Sequence, residues 1–310
     1  MTSTRRTGLL LAVGTACISG VAVFLNSYGV RAVGNASVYT TAKNLMAALV
    51  LLLVVAAARG RGARLTRPTT AGQWTGLAAV AVVGGSVPFL LFFEGLARAS
   101  SAQSAFLHKT LVVWVALLAV PLLHERLTAW HGAAIVLLVV GQLGLVGGVP
   151  SGLGSGEAMI MGATLLWSVE VVLAKRLLGG LSSWTVGVAR MAVGSVVLVA
   201  WTAVRGDLGA LLGLDPSAWA WVALTGVILA AYVATWFGAL ARAQAVDVTA
   251  VLVLAAPITA LLQAVVDGAS LAPQAVWLMI LVAGAAIVWW RGWVTAGAGD
   301  GAVLAAPLRA

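Results

Sequence analysis

The sequence predicts an all-α membrane protein of ten transmembrane helices, built as two inverted five-helix repeats. Three observations carry that prediction. The chain is apolar along its whole length, its apolar runs are each about twenty residues long, and short motifs of its first half return in the same order in its second.

Of the 310 residues, 62% are hydrophobic and only 9% charged, against roughly 45–50% and 25% in an ordinary soluble domain. A mean hydropathy of +1.06 spread over the whole chain asks for a bilayer as the main solvent. The formal charge of +9 would suggest nucleic acid in a soluble protein. Here the basic residues stand at the ends of apolar runs, so they read as topology signals and no nucleic-acid partner is expected. A single cysteine, Cys17, excludes an intramolecular disulfide, and His108, His124 and His131 lack metal-site spacing. No metal or cofactor is expected. The first apolar run continues from Gly8 to about Val30, longer than the 7–15 residues of a signal-peptide core, and reads as a span.

Windows of about twenty residues place spans near 8–30, 37–58, 73–97, 102–123, 129–148, 156–177, 183–204, 217–241, 247–267 and 273–293. Runs this long and this continuously apolar are helices rather than barrel strands, because a helix satisfies its own backbone in lipid. Lys43, Lys109 and Arg190 fall inside spans. Of the remaining basic residues, Arg5, Arg6, Arg59, Arg61, Arg64, Arg67, Arg126, Lys175, Arg176, Arg242, Arg291 and Arg309 fall on one side, and only Arg31, Arg98 and Arg205 on the other. The positive-inside rule makes both termini cytoplasmic and the protein a multi-pass protein of the plasma (inner) membrane.

Phe93-x-x-Leu96-Ala97-Arg98-Ala99 returns as Phe237-x-x-Leu240-Ala241-Arg242-Ala243, Leu138-Val139-x-Gly141 as Leu281-Val282-x-Gly284, and Lys43 as Arg190. The order is shared and the offset stays between 143 and 147. Residues 1–150 form the first repeat, 151–293 the second, and 294–310 a cytoplasmic tail. Five spans is an odd number, so the second copy enters the membrane from the opposite side. Inverted repeats are the mark of secondary transporters, whose halves exchange conformations around a central site.

With Ala105-Phe106-Leu107-His108-Lys109-Thr110-Leu111 in the fourth span and Leu123-His124-Glu125-Arg126-Leu127 closing it, the chain resembles the EamA-type drug/metabolite transporters over about residues 8–293. It departs from them where His124 replaces the family's glycine. Ala269 stands where Glu125 would recur, and Pro257 has no counterpart at Val113. The resemblance implies a basket-like bundle whose third, fourth, eighth and ninth helices line a cavity, and export of amino acids, related metabolites or drugs by alternating access. The alternative is a facilitative channel or uniporter for small solutes. No enzymatic constellation stands out and no Walker pattern is present, so the chain is read as neither an enzyme nor a direct user of ATP.

Charges inside spans single out candidate residues, since each costs on the order of 3 kcal/mol on insertion scales. Lys109, deep in the fourth span, is the first substrate-binding candidate, joined by Trp114, Tyr232, Trp236 and Phe93 as aromatic walls. Glu94, His108, Glu170 and Arg190 are gating or coupling candidates. Glu94 is in reach of Arg98 or Lys109, while Glu170 and Arg190 are placed to form a buried pair that is a gate, a proton-linked switch or a fold-specifying contact. His108 is a candidate for proton coupling. The expected partners are a small-molecule substrate and the lipid bilayer, with coupling to protons or by exchange. Trp289, Trp290 and Trp293 read as interfacial anchors.

Overall fold

The computed structural model describes residues 2–58, 62–96, 98–99, 101–148 and 154–304. Arg59, Arg61, Ala97 and Arg309, which share in the orientation and repeat arguments, lie outside the described residues. In the first half α1 (Thr2–Val33) and α2 (Ala36–Ala57) are continuous. The third span is split into α3 (Ala71–Val83) and α4 (Val87–Leu96), the fourth into α5 (Ser101–Lys109) and α6 (Leu111–Leu123), and α7 (Ala129–Val146) completes the repeat. The second half runs through α8 (Ser155–Leu177), α9 (Ser183–Val204), the short α10 (Leu208–Leu212) and α11 (Pro216–Leu240). Its ninth span is split into α12 (Ala245–Leu252) and α13 (Ala255–Asp267), and α14 (Ala275–Leu304) continues beyond the tenth span. Ten helical stretches of the described residues are long and apolar enough to cross a membrane.

Local chemistry sets these boundaries. The Asn35 side chain accepts from the backbone N–H groups of Ser37 and Val38 and so starts α2; Thr70, Ser182 and Asp215 cap α3, α9 and α11 in the same way. Pro216 follows Asp215 at the first helical position, where its missing N–H costs nothing. The third span breaks at Gly84-Gly85-Ser86. Pro88 has no N–H to give to the Gly84 carbonyl four residues back, and the Ser86 hydroxyl takes the Ala81 and Val82 carbonyls. Pro257 stands in the same relation to Val253 and accounts for the break in the ninth span. In the fourth span Thr110 does it without proline. Its N–H is shared between the Phe106 and Leu107 carbonyls, both at 3.2 Å, and its hydroxyl donates to Leu107 O at 2.6 Å.

The packing repeats itself when the two halves are exchanged. The first span packs on the eighth and ninth, and the sixth on the third and fourth; the second packs on the eighth, and the seventh on the third. The second and seventh, fourth and ninth, and fifth and tenth spans each pack on their own counterparts. The main core, which includes Leu9, Leu77, Met191, Val233, Phe237 and Leu240, fills the end of the bundle that carries Arg5, Arg64, Arg126 and Arg242, called here the basic end. Exposed large apolar side chains such as Leu53, Leu117, Val136 and Met279 belong against lipid.

The two halves meet closely at glycines. A Cβ on Gly194 of α9 would lie 2.7 Å from the Gly85 carbonyl oxygen, with backbone on both sides and nothing able to turn away. We expect Gly194→Ala to lower the stability of the detergent-solubilised protein by about 1–3 kcal/mol. Gly14→Ala, where an added Cβ meets nothing within 4 Å, is expected to leave it unchanged or slightly raised. Equal melting temperatures for the two variants would show that the helices part at no cost.

Candidate functional site

At the end of the bundle opposite the basic end, a cavity of about 190 Å³ lies between the second, third and seventh spans. Asn35, Ser37 and Thr40 of the second span line it, with Phe89, Leu90, Phe93 and Glu94 of α4 and Trp201, Arg205 and Asp207 at the end of the seventh. Its size is below the roughly 300 Å³ at which drug-sized pockets begin, so it suits a small solute. Phe93 and Glu94 thus stand in a cavity wall. Glu94 pairs with Arg98 at 3.1 Å rather than with Lys109. Both partners of that pair are well exposed, which makes it weak and easily exchanged.

Beneath the cavity the third span breaks, and the break is held by charge. Arg190 donates from Nε to Glu170 Oε1 at 2.5 Å and from Nη2 to the freed Gly84 carbonyl at 3.0 Å, and Trp167 Nε1 donates to that carbonyl at 3.1 Å. The guanidinium also stands 5.6 Å from the Phe89 ring centroid. The expected Glu170–Arg190 pair is therefore present, buried, and fastened to the hinge of the helix that walls the cavity. Gly84 leaves room for it, since a Cβ there would overlap the Glu170 carboxyl. His108 packs between Trp167, at 4.9 Å, and Phe92, at 5.2 Å, and its Nδ1 has no partner among the described residues.

The other candidates stand elsewhere. Lys109 borders a void of about 10 Å³ with Phe106, Thr110, Gln142 and Val253, space for no more than one water. It sits beside the breaks of the fourth and ninth spans. Trp114 donates from Nε1 to Thr110 Oγ1 at 3.1 Å and so helps fix the first of those breaks. Tyr232 and Trp236 stack at 6.0 Å within and against the main core. The eighth span presents them to core neighbours, so the cavity is walled by the second and seventh spans where the fourth, eighth and ninth were expected beside the third.

At the basic end a polar network ties six spans together. Asp247, in the first turn of α12, is fully buried and accepts from Arg5 Nη2 at 2.9 Å. The Thr128 N–H donates to His131 Nδ1 at 3.1 Å, which puts the ring proton on Nε2, and that nitrogen donates to Asp247 at 3.0 Å. Glu125 accepts from the Ala245 and Val246 N–H groups at 2.6 and 3.2 Å, and so caps α12 from the loop that follows the fourth span. Burial pushes its carboxyl above the usual carboxylate range, against the lowering by those two N–H groups and by Lys175. Lys175 in turn donates to the Leu240 and Ala243 carbonyls at the end of the eighth span, at 2.5 and 2.6 Å. Sequence reasoning passed over Asp247 and left Lys43 outside the candidate residues. A charge in the first turn of a span is readily taken as interfacial, and nothing local marks its partners, which are 242 and 116 residues away. No group of three His, Cys, Asp or Glu side chains able to hold a metal occurs among the described residues.

The family model of the EamA-like transporter family matches residues 6–147 and again 154–291. The chain belongs to the EamA-like transporter family. The two matches coincide with the two five-helix units, so this EamA protein is a membrane transporter of the drug/metabolite type carrying one family unit in each half. A solved structure titled "Crystal structure of protein" aligns with a TM-score of 0.74 at 20% identity, covering 92% of this chain and 98% of that one; it speaks for the fold alone. No curated protein matches the chain.

Proposed function

We propose that this EamA protein is a secondary active exporter of small organic metabolites, amino acids or related compounds, with drugs within its range. It works by alternating access in the plasma membrane with both termini in the cytoplasm. One observation carries the reading: the same pseudo-symmetric set of helices is open at one end and packed shut at the other. Phe93 and Thr40 line the cavity; their counterparts in the second repeat are Phe237 and Gly187. Phe237 is 0% exposed. A Cβ on Gly187 would already stand 3.1 Å from Val233 and 3.4 Å from Phe237. A bundle of two equivalent halves in two different states has an obvious partner state in which the halves trade arrangements, closing the cavity and opening the basic end.

The basic end is also the latched one. At the repeat offset of 144, Asp247 and Glu125 correspond to Gln103 and Ala269, so the carboxylates that hold the basic end shut have no acidic equivalents at the other. On the positive-inside orientation the cavity faces outward and the latch faces the cytoplasm.

The test compares solutes inside and outside cells expressing the wild type, Lys109→Ala or no transporter, at equal membrane abundance. Wild type is expected to enrich particular amino acids or related metabolites outside, and Lys109→Ala, beside the breaks of the fourth and ninth spans rather than at the cavity, to slow that export by about tenfold through the exchange of conformations, the equivalent of 1.4 kcal/mol. If no solute is enriched outside by the wild type, export is wrong. Flux that ignores every second gradient and shows no trans-stimulation would mark a uniporter or channel instead.

A further inference from the structure

The repeat relation exposes a charge imbalance beside the cavity. At offsets of 144 and 147, Glu170 and Arg190 of the second repeat correspond to Asn26 and Lys43 of the first. The second-repeat residues form an ion pair. Lys43 Nζ donates to Asn26 Oδ1 at 3.3 Å instead, an oxygen that the Tyr39 hydroxyl already uses at 2.7 Å. An amide meets the lysine where the symmetry-related arginine has a carboxylate. Lys43 is 4% exposed and forms no ion pair among the described residues; the ring centroids of Tyr39 and Phe93 stand 4.9 and 5.9 Å from its Nζ. Of its three donors, one meets an acceptor among the described residues.

This cation stands next to the cavity. Thr40 lies three residues before it on α2, on the same side of the helix, and both Thr40 and Phe93 are cavity walls. Thr40 is 2% exposed, yet its hydroxyl has no hydrogen-bond partner among the described residues, and the Ser37 hydroxyl is also unpartnered. Buried polar groups are almost always bonded to protein or water, so an unsatisfied row beside an uncompensated cation leaves the wall short of an anionic, hydrogen-bonding guest. Among the other walls, Phe89, Leu90, Phe93 and Trp201 offer that guest apolar surface, and Arg205 adds a second cation beside the carboxylates of Glu94 and Asp207.

We propose that the cavity binds an organic carboxylate, with Lys43 as its counter-ion, the Ser37 and Thr40 hydroxyls as donors to it, and its apolar body against Phe93 and Trp201. The proposal rests on the transport reading for the cavity's purpose and names the chemical class it accepts. An inorganic anion shares the charge but has no use for the aromatic walls.

The purified full-length protein in detergent is titrated with matched carboxylate and amide probes, read by tryptophan fluorescence and by thermal shift. The probes are L-leucine and L-leucinamide, isovalerate and isovaleramide, and benzoate and benzamide, with inorganic phosphate and chloride alongside. The wild type is expected to bind at least one carboxylate about 10- to 100-fold more tightly than its amide, as for a charge-assisted hydrogen bond. Lys43→Met removes that preference. Asn26→Asp removes it as well, by giving Lys43 a counter-ion within the protein, and raises the melting temperature. Carboxylates and amides that bind alike, or not at all, overturn the proposal. So does a preference that survives in Asn26→Asp, or phosphate competing as well as the best carboxylate. Should Lys43→Met fail to fold, Asn26→Asp and the wild-type comparison still decide. Counterflow in proteoliposomes separates the two readings. Carboxylate binding without flux keeps this site and removes the transport assignment; flux of neutral solutes without a carboxylate preference does the reverse.

Discussion

Asp247→Ala is expected to unlatch the basic end of the bundle and to cost about 3–5 kcal/mol of stability, the range found when one partner of a buried pair is removed. The carboxylate has no exposure and serves Arg5 and His131 at once, so its loss takes a shared buried acceptor from a cation and from a ring N–H. The measurement uses a Cys17→Ala background with a cysteine placed at Val246, which is 1% exposed. Maleimide labelling of that cysteine is expected to be slow with Asp247 present and at least about tenfold faster in the Asp247→Ala variant, following the population of the opened end. The melting temperature should fall at the same time. An unchanged labelling rate with an unchanged melting temperature would mean that Asp247 closes nothing. Faster labelling at an unchanged melting temperature would show a gate that opens without weakening the rest of the bundle.

Arg190→Met is expected to have an effect of similar size, again about 3–5 kcal/mol, because it strands Glu170 in the bundle without its partner and takes one of two donors from the Gly84 carbonyl. The double variant Glu170→Leu/Arg190→Met removes both charges together, and most of the lost stability should return, since a buried ion pair is often no better than well-packed apolar residues of similar volume. Trp167 still serves the Gly84 carbonyl in that background. If the pair only specifies the fold, the double variant transports like the wild type. If the pair holds the hinge of α4 for gating, the double variant melts near the wild type but its counterflow stays at least about tenfold slower. We expect the second outcome, because the pair is fastened to the break in a cavity-lining helix rather than to a continuous one.

Much of the fold was legible in the chain. All ten spans read from the sequence lie within four residues of the apolar helical stretches at both ends. The hydrophobic effect of a bilayer acts on whole runs of about twenty residues, so composition alone finds them. The repeat was legible for a related reason: two units that pack by the same rule keep residues of like chemistry at the same places, as Phe93 and Phe237 or Lys43 and Arg190 show. The third span breaks at Gly84-Gly85, four residues before Pro88, and Arg190 and Trp167 take over the Gly84 carbonyl released there.

The site was less legible. Charge depth pointed to Lys109 and passed over Lys43, although both are lysines inside spans. What separates them is their surroundings: a void of about 10 Å³ beside one and, beside the other, the wall of a cavity of about 190 Å³ together with an amide in place of a carboxylate. Tyr232 and Trp236 share a helix face as their spacing required, but spacing does not say which neighbour that face meets.

By itself, then, the sequence determined the solvent, the number of spans, the duplication and the inversion, because these depend on the sum of apolar residues over a span and on the parity of five. Tertiary structure decided which end is open, which charges are compensated and which helices wall the cavity. Those depend on the rotation of each helix about its own axis, and in lipid that rotation is set by packing against neighbours and by pairs such as Arg5–Asp247 and Glu170–Arg190 that lie far apart in the chain or across spans.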